Sequence, residues 1–181
     1  MHGREGDLRE LNPIAPGHIV QDNNLLACSH EHFDAVCKML NGQRDIQLAG
    51  GLEAGRLTDW HIARLRRLRI GQMFLAYDRE GQYEAVKSAI LRLRCAGFTQ
   101  RQVRCFVLVG FSDDTPEAAL RRLDDVFQMG ALPFAMLYRG DDGKLKADAI
   151  WHGLVREWSR PAIMMSRQQK VEGIVATELY F

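Results

Sequence analysis

Apolar residues recur with helical spacing at five places along the chain. Phe33, Val36, Cys37 and Leu40 fall at i, i+3, i+4 and i+7, and Val86, Ala89, Ile90 and Leu93 repeat those offsets. Trp151, Leu154, Val155 and Trp158 do so again, while Ala119, Leu123, Val126 and Phe127 give i, i+4, i+7 and i+8. A sparser stripe, Ile62, Leu65 and Leu68, lies within 59–69. Each stripe predicts a helix with one buried face. Gly42, Gly97 and Gly130 fall just past three of them, where a left-handed C-terminal cap favours glycine. Thr115-Pro116-Glu117 predicts a helix start: a hydroxyl for the N-cap, a proline at the first turn, and a carboxylate near the positive end of the dipole.

Between the stripes lie runs too apolar for an exposed sheet: 18–26, 45–49, 72–77, 103–111 and 133–138. These predict buried strands. They begin about 27 to 31 residues apart, room for one strand, one helix and two short loops. Five successive β-α units imply an α/β fold with a parallel sheet, right-handed crossovers and covering helices. Periodicity alone does not choose between an open doubly wound sheet and part of a barrel. A closed (β/α)8 barrel needs about 250 residues, so a barrel-like chain of five units would be an arc with two edges to cover. The β-branched and aromatic tail 173–181 is a candidate to pair with one of them.

The length of 181 residues suits one domain, taken as 1–165, with a tail at 166–181. A hydrophobic share of 46% and a charged share of 26% are ordinary for a folded chain. The 24 basic and 23 acidic side chains leave a net charge of +1, which removes any bulk attraction to nucleic acid or an acidic membrane. The longest apolar runs, 105–111 and 131–138, are far short of the roughly 20 residues that span a bilayer. The polar opening 1–7 has no signal-peptide core, so a cytoplasmic location is expected. Cysteines at 28, 37, 95 and 105 match neither a zinc knuckle nor a Cys-x-x-Cys pair and read as reduced, packed thiols.

Ligands of parallel α/β folds bind at the carboxyl ends of the strands. Here those ends carry Asp22-Asn23-Asn24, Gly50-Gly51-Leu52-Glu53, Tyr77-Asp78, the 110–114 segment and Tyr138-Arg139. Asp22 and Asn23 suit either a turn or a grip on a ligand's amine and hydroxyl groups. Gly51 suits a bend or a close approach of backbone to ligand. Glu53 could accept from a ribose or be a solvated charge. Asp78 ends an apolar strand, placed for ligand contact or for helix capping. Gly110 precedes a well-capped helix, as a turn or as a wall for a ligand. Three further patterns carry less. His30 and His32 are two apart and do not share a helix face, so the Cys28-to-His32 run does not read as a metal site. Arg64, Arg66, Arg67 and Arg69 read as a solvated helix face, and the 141–144 segment as a turn.

The stretch Val-Arg-Cys-Phe-Val-Leu-Val-Gly-Phe-Ser-Asp-Asp-Thr-Pro-Glu over 103–117 resembles the fifth strand and following loop of radical S-adenosylmethionine enzymes. Phe74-Leu-Ala-Tyr-Asp78 is similar to that family's fourth strand, Ile46-Gln-Leu-Ala-Gly-Gly-Leu-Glu53 to its third and Val20-Gln-Asp-Asn-Asn24 to its second. The likeness covers about residues 18–140, and Arg4-Glu5-Gly6 resembles the segment trailing the family's cluster loop. It implies a six-unit partial barrel of which this chain supplies the second to sixth units. It also implies a rim that binds S-adenosylmethionine, cleaved to methionine and a 5'-deoxyadenosyl radical by an electron from a 4Fe-4S cluster. By position, Asp22, Asn23, Gly51, Glu53, Asp78 and Gly110 would contact S-adenosylmethionine.

Two departures matter. The family's Cys-x3-Cys-x2-Cys has no counterpart in this sequence, and Asp22-Asn23-Asn24 stands where the family carries Gly-Gly-Glu. The resemblance therefore implies a truncated, Fe-S oxidoreductase-like member that keeps the cofactor rim but lacks the cluster ligands and is not competent alone. A missing N-terminal segment or another chain would cover the sheet edge. Two alternatives stay open: a non-catalytic module for a nucleotide-like ligand, and a metal-free α/β enzyme using Asp78 and Glu53 as acid and base. The substrate is not legible.

Overall fold

The computed structural model describes residues 9–111, 113–139 and 149–159. The 4–6 segment, the 141–144 turn and the tail with its edge pairing lie outside them. Five strands, β1 (Ile19–Val20), β2 (Ile46–Glu53), β3 (Ile70–Ala76), β4 (Val103–Val109) and β5 (Leu132–Leu137), alternate with five helices. The helices are α1 (His30–Leu40), α2 (Asp59–Leu65), α3 (Tyr83–Cys95), α4 (Pro116–Gln128) and α5 (Ala149–Trp158). Every strand pair is parallel and the spatial order is β1-β2-β3-β4-β5. The order has no reversal, unlike that of a doubly wound sheet.

Period-2 burial explains why these strands pack. In β4, Val103, Cys105, Val107 and Val109 are fully buried and alternate with half-exposed Arg104, Phe106 and Leu108. The buried set joins Leu48, Met73 and Leu75 of the neighbouring strands and the apolar stripes Phe33–Val36–Leu40, Ile90–Leu93 and Leu123–Val126 in one core. Parallel strands under helices need this dry face. The other face carries its own aromatic contact, with Phe74 stacked on Phe106 at 4.3 Å and Phe134 edge-on to Phe106 at 5.8 Å.

The caps follow the sequence. Ser29 Oγ accepts from His32 N–H and Thr115 Oγ1 from Ala118 N–H, with Pro116 opening α4. Gly42, Gly97 and Gly130 adopt φ of 88°, 92° and 90° just past α1, α3 and α4. The strand ends of β3, β4 and β5 fall within two residues of expectation, while β1 and β2 differ by more. β1 is only two residues long, because 25–27 coil into a 3-10 turn that buries Leu25 and Leu26. β2 runs on to Glu53 through Gly50 and Gly51, with a bulge between Leu48 and Leu52 against β3.

The packing of α1 on α2 is aromatic and charged rather than aliphatic. His30 stacks on Trp60 at 3.9 Å, the Arg64 guanidinium lies 3.4 Å from the Trp60 ring centroid, and Arg64 Nε pairs with Asp34. Arg66 sits 5.8 Å from the Phe98 ring. The arginine run read as a solvated face is thus partly packing. His61 is buried and closes the α2 N-terminus, its Nδ1 accepting from Thr58 N–H at 3.2 Å.

Burial, with His30 and Arg64 nearby, holds the His61 imidazole below its ordinary value of 6.5. A base depressed on folding supports stability above its unfolded value and loses that support as pH falls through the folded one. Melting temperature should therefore decline on acidification below pH 6.5. His61→Gln keeps a capping acceptor without the titration and should flatten that decline, read by thermal melts across the range.

Candidate functional site

Because all strands run the same way, their carboxyl ends share one rim, and the predicted site residues fall there in two groups. The first joins β1 to β2. Asp22 Oδ1 accepts from Asn24 N–H at 2.9 Å, Asn24 Nδ2 donates to Glu53 Oε2 at 2.7 Å, and Arg56 Nε donates to the same oxygen at 2.6 Å. The pair Arg56–Glu53 is half exposed and contributes little to stability. Its effect is to orient the Glu53 carboxylate beside the β1 turn. An adjoining cleft of about 370 Å³ is lined by Glu10, Asp22, Asn23, Asn24, Cys28 and His32. Glu10, which the sequence reading did not single out, accepts from Ser29 N–H at 2.6 Å; that bond holds its carboxyl below the ordinary range.

The glycines at this junction serve the chain itself. A Cβ on Gly50 would lie 1.4 Å from the Asp22 carbonyl oxygen, so the backbone that approaches closely is the protein's own turn after β1. Gly51 has φ 81°, and a Cβ there would face Phe106 and Ala76 at 3.7 and 3.9 Å on the aromatic side of the sheet. Gly51 thus connects the polar rim to that aromatic surface.

The second group lies over β3 and β4. A cleft of about 430 Å³ is lined by Asp78, Arg79, Phe111, Asp113, Thr115 and Ala118, with Asp114 and Arg122 at its base. Asp78 follows β3 and is exposed. Desolvation of its carboxyl by the surrounding protein still pushes it above the ordinary aspartate value, while the Leu108 amide, Arg122 and Arg79 pull it back. The Asp78 backbone N–H donates to Gln82 Oε1 at 2.8 Å, so Gln82 rather than the Asp78 side chain caps the following turn.

Gly110 has φ 77°, and its N–H donates to Asp114 Oδ2 at 2.9 Å. Its Cβ direction is filled by Leu137 and Trp151 at 3.3 and 3.5 Å. Gly110 shapes the loop, while Asp78 faces the cleft.

Asp114 is held by Arg122 through two bonds, Nη1 to Oδ1 at 3.1 Å and Nη2 to Oδ2 at 2.8 Å, and Arg122 Nη2 also reaches Leu108 O at 2.9 Å. Arg122 was missed in the sequence although a signal existed. It sits in the apolar stripe of α4, between Ala119 and Leu123, where a charge demands a buried partner.

The thiols do not suit an iron–sulfur cluster. Cys105 is fully buried in the core and Cys95 is exposed on α3. Cys28 donates to Leu25 O, and burial raises its pKa and pushes Cys37 to about 11, against the thiolate that iron requires. Among the described residues no group of three His, Cys, Asp or Glu is placed to hold a metal ion. The β1–β2 rim has different chemistry: clustered carboxylate and amide oxygens that can accept hydrogen bonds from hydroxyl or ammonium groups. No helix among the described residues is long and apolar enough to cross a membrane.

Comparison with known proteins adds no relative: no family model, curated protein or solved structure matches the chain.

Proposed function

We propose that this chain is a radical S-adenosylmethionine-type partial barrel whose carboxyl-end rim binds S-adenosylmethionine, and which does not itself provide the cluster ligands. The observation that carries the reading is the sequential parallel order β1-β2-β3-β4-β5, which gathers Asp22, Asn23, Glu53 and Asp78 on one rim above an aromatic sheet face. In this reading the Asn24–Glu53–Arg56 network orients a carboxylate toward the ribose diol. Asp22 and Asn23 face the amino-acid end, and Asp78 closes the neighbouring cleft. Bound S-adenosylmethionine would supply an adenosyl group for radical formation. The electron for that chemistry must enter through iron held by residues other than Cys28, Cys37, Cys95 and Cys105.

Titration calorimetry of the full chain with S-adenosylmethionine tests the reading. Saturable binding is expected, weakened roughly tenfold or more by Glu53→Ala, the scale of one lost charge-assisted hydrogen bond. Absence of saturable binding to the folded chain would sink it. Anaerobic treatment with iron and sulfide is expected to leave the chain without the absorbance of a 4Fe-4S cluster.

A further inference from the structure

The sheet face opposite the helices holds an arginine that pairs with no acid among the described residues. Arg104 lies on this face of β4, in register with Phe74 of β3 and Leu132 of β5. Its guanidinium is 5.7 Å from the Phe74 ring, and Arg104 Nε is buried without a hydrogen-bond partner. The neighbouring side chains on the face, Gln72, Phe74, Phe106, Leu108, Phe134 and Met136, carry no charge. The Nε–H left among them is costly, because a buried donor without an acceptor forfeits its hydration. Burial lowers the Arg104 value, yet an arginine stays charged near neutrality. The aromatic part of the surface is formed for contact: Phe106 and Phe134 are half-buried, and Met136 is 42% exposed.

We propose that this face binds a small aromatic carboxylate, with its carboxylate across the Arg104 guanidinium and its ring against Phe106 and Phe134. Charge complementarity selects an anion, and the planar guanidinium matches a carboxylate's two oxygens. The offset and edge-on rings of Phe74, Phe106 and Phe134 leave faces and edges that a flat ligand can extend. The inference does not depend on S-adenosylmethionine, so its failure and the failure of the rim reading are separate events.

The test uses the full chain with 2-naphthoate and its uncharged isostere 2-naphthamide, followed by calorimetry and by the Met136 methyl resonance. Saturable naphthoate binding that shifts the Met136 signal is expected. Arg104→Gln should weaken naphthoate at least tenfold, and naphthamide should bind the natural chain correspondingly worse. Arg104→Gln should also melt at or above the parent temperature, by up to roughly 2–4 °C, because it removes the buried, unpartnered Nε–H. Equal naphthoate affinity in Arg104→Gln, no saturable binding, or a melt well below the parent would each overturn the proposal, the last because it would make Arg104 a structural charge.

Discussion

Asp114→Ala should destabilise the fold by about 3–5 kcal/mol, the range for removing one partner of a buried ion pair. For a chain of this size that is a fall in melting temperature of roughly 10 °C. The two side chains are 9% and 6% exposed, so solvent does little to screen the charge left behind. The substitution strands the Arg122 guanidinium beneath the β3–β4 rim and removes the acceptor of Gly110 N–H. The loop that opens the second cleft should loosen with it. Combining Asp114→Ala with Arg122→Met removes the stranded charge and should recover much of the loss, a coupling that thermal melts of the single and double variants measure. A fall under about 2 °C for Asp114→Ala would mean that the pair is far more hydrated than its burial indicates.

Gly50→Ala should be nearly as damaging, for a steric reason. The added Cβ would lie 1.4 Å from the Asp22 carbonyl oxygen, 2.5 Å from its carbon and 2.8 Å from its nitrogen. No rotamer can relieve a clash between Cβ and backbone, so β1 must move away from β2. The expected cost is upwards of about 3 kcal/mol. Protection from hydrogen exchange should also be lost at Gln47 N–H, which donates to His18 O at 2.8 Å across the same pair. Gly55→Ala is the control: nothing lies within 4 Å of that position, and the change should stay within about 1 kcal/mol. Since Asp22 lies just past β1, the Gly50 variant should also weaken any ligand held by the β1–β2 rim.

These two expectations show where local pattern stops. Gly50 and Gly51 stood out in the sequence as a place of close backbone approach, but what approaches depends on strand pairing. Arg122 occupied a position in the α4 stripe that periodicity assigns to the interior, and only the loop after β4 shows that Asp114 meets it there. Arg104 carried no local signal, because alternation along a strand does not say whether its second face is covered. The His61 site likewise needs α1, because the stack of His30 on Trp60 beside it joins residues 30 positions apart.

Spacing along the chain suffices for the five β-α units, the helix start at Thr115, the caps at Gly42, Gly97 and Gly130, the parallel sheet, and so the placing of Asp22, Asn23, Glu53 and Asp78 at strand ends on one rim. Those follow from spacing within a few residues and from the handedness of crossovers, which every L-peptide chain shares. Only the folded chain shows which carboxylates are already committed to partners, which backbone fills the space at Gly50, and which arginine keeps an unpartnered Nε among the described residues of the aromatic face. The contacts of Asn24 with Glu53 and of Asp22 with Gly50 join segments far apart in sequence, and even the nearer pair Asp114–Arg122 depends on the path of the loop after β4, whose register and burial no local period encodes.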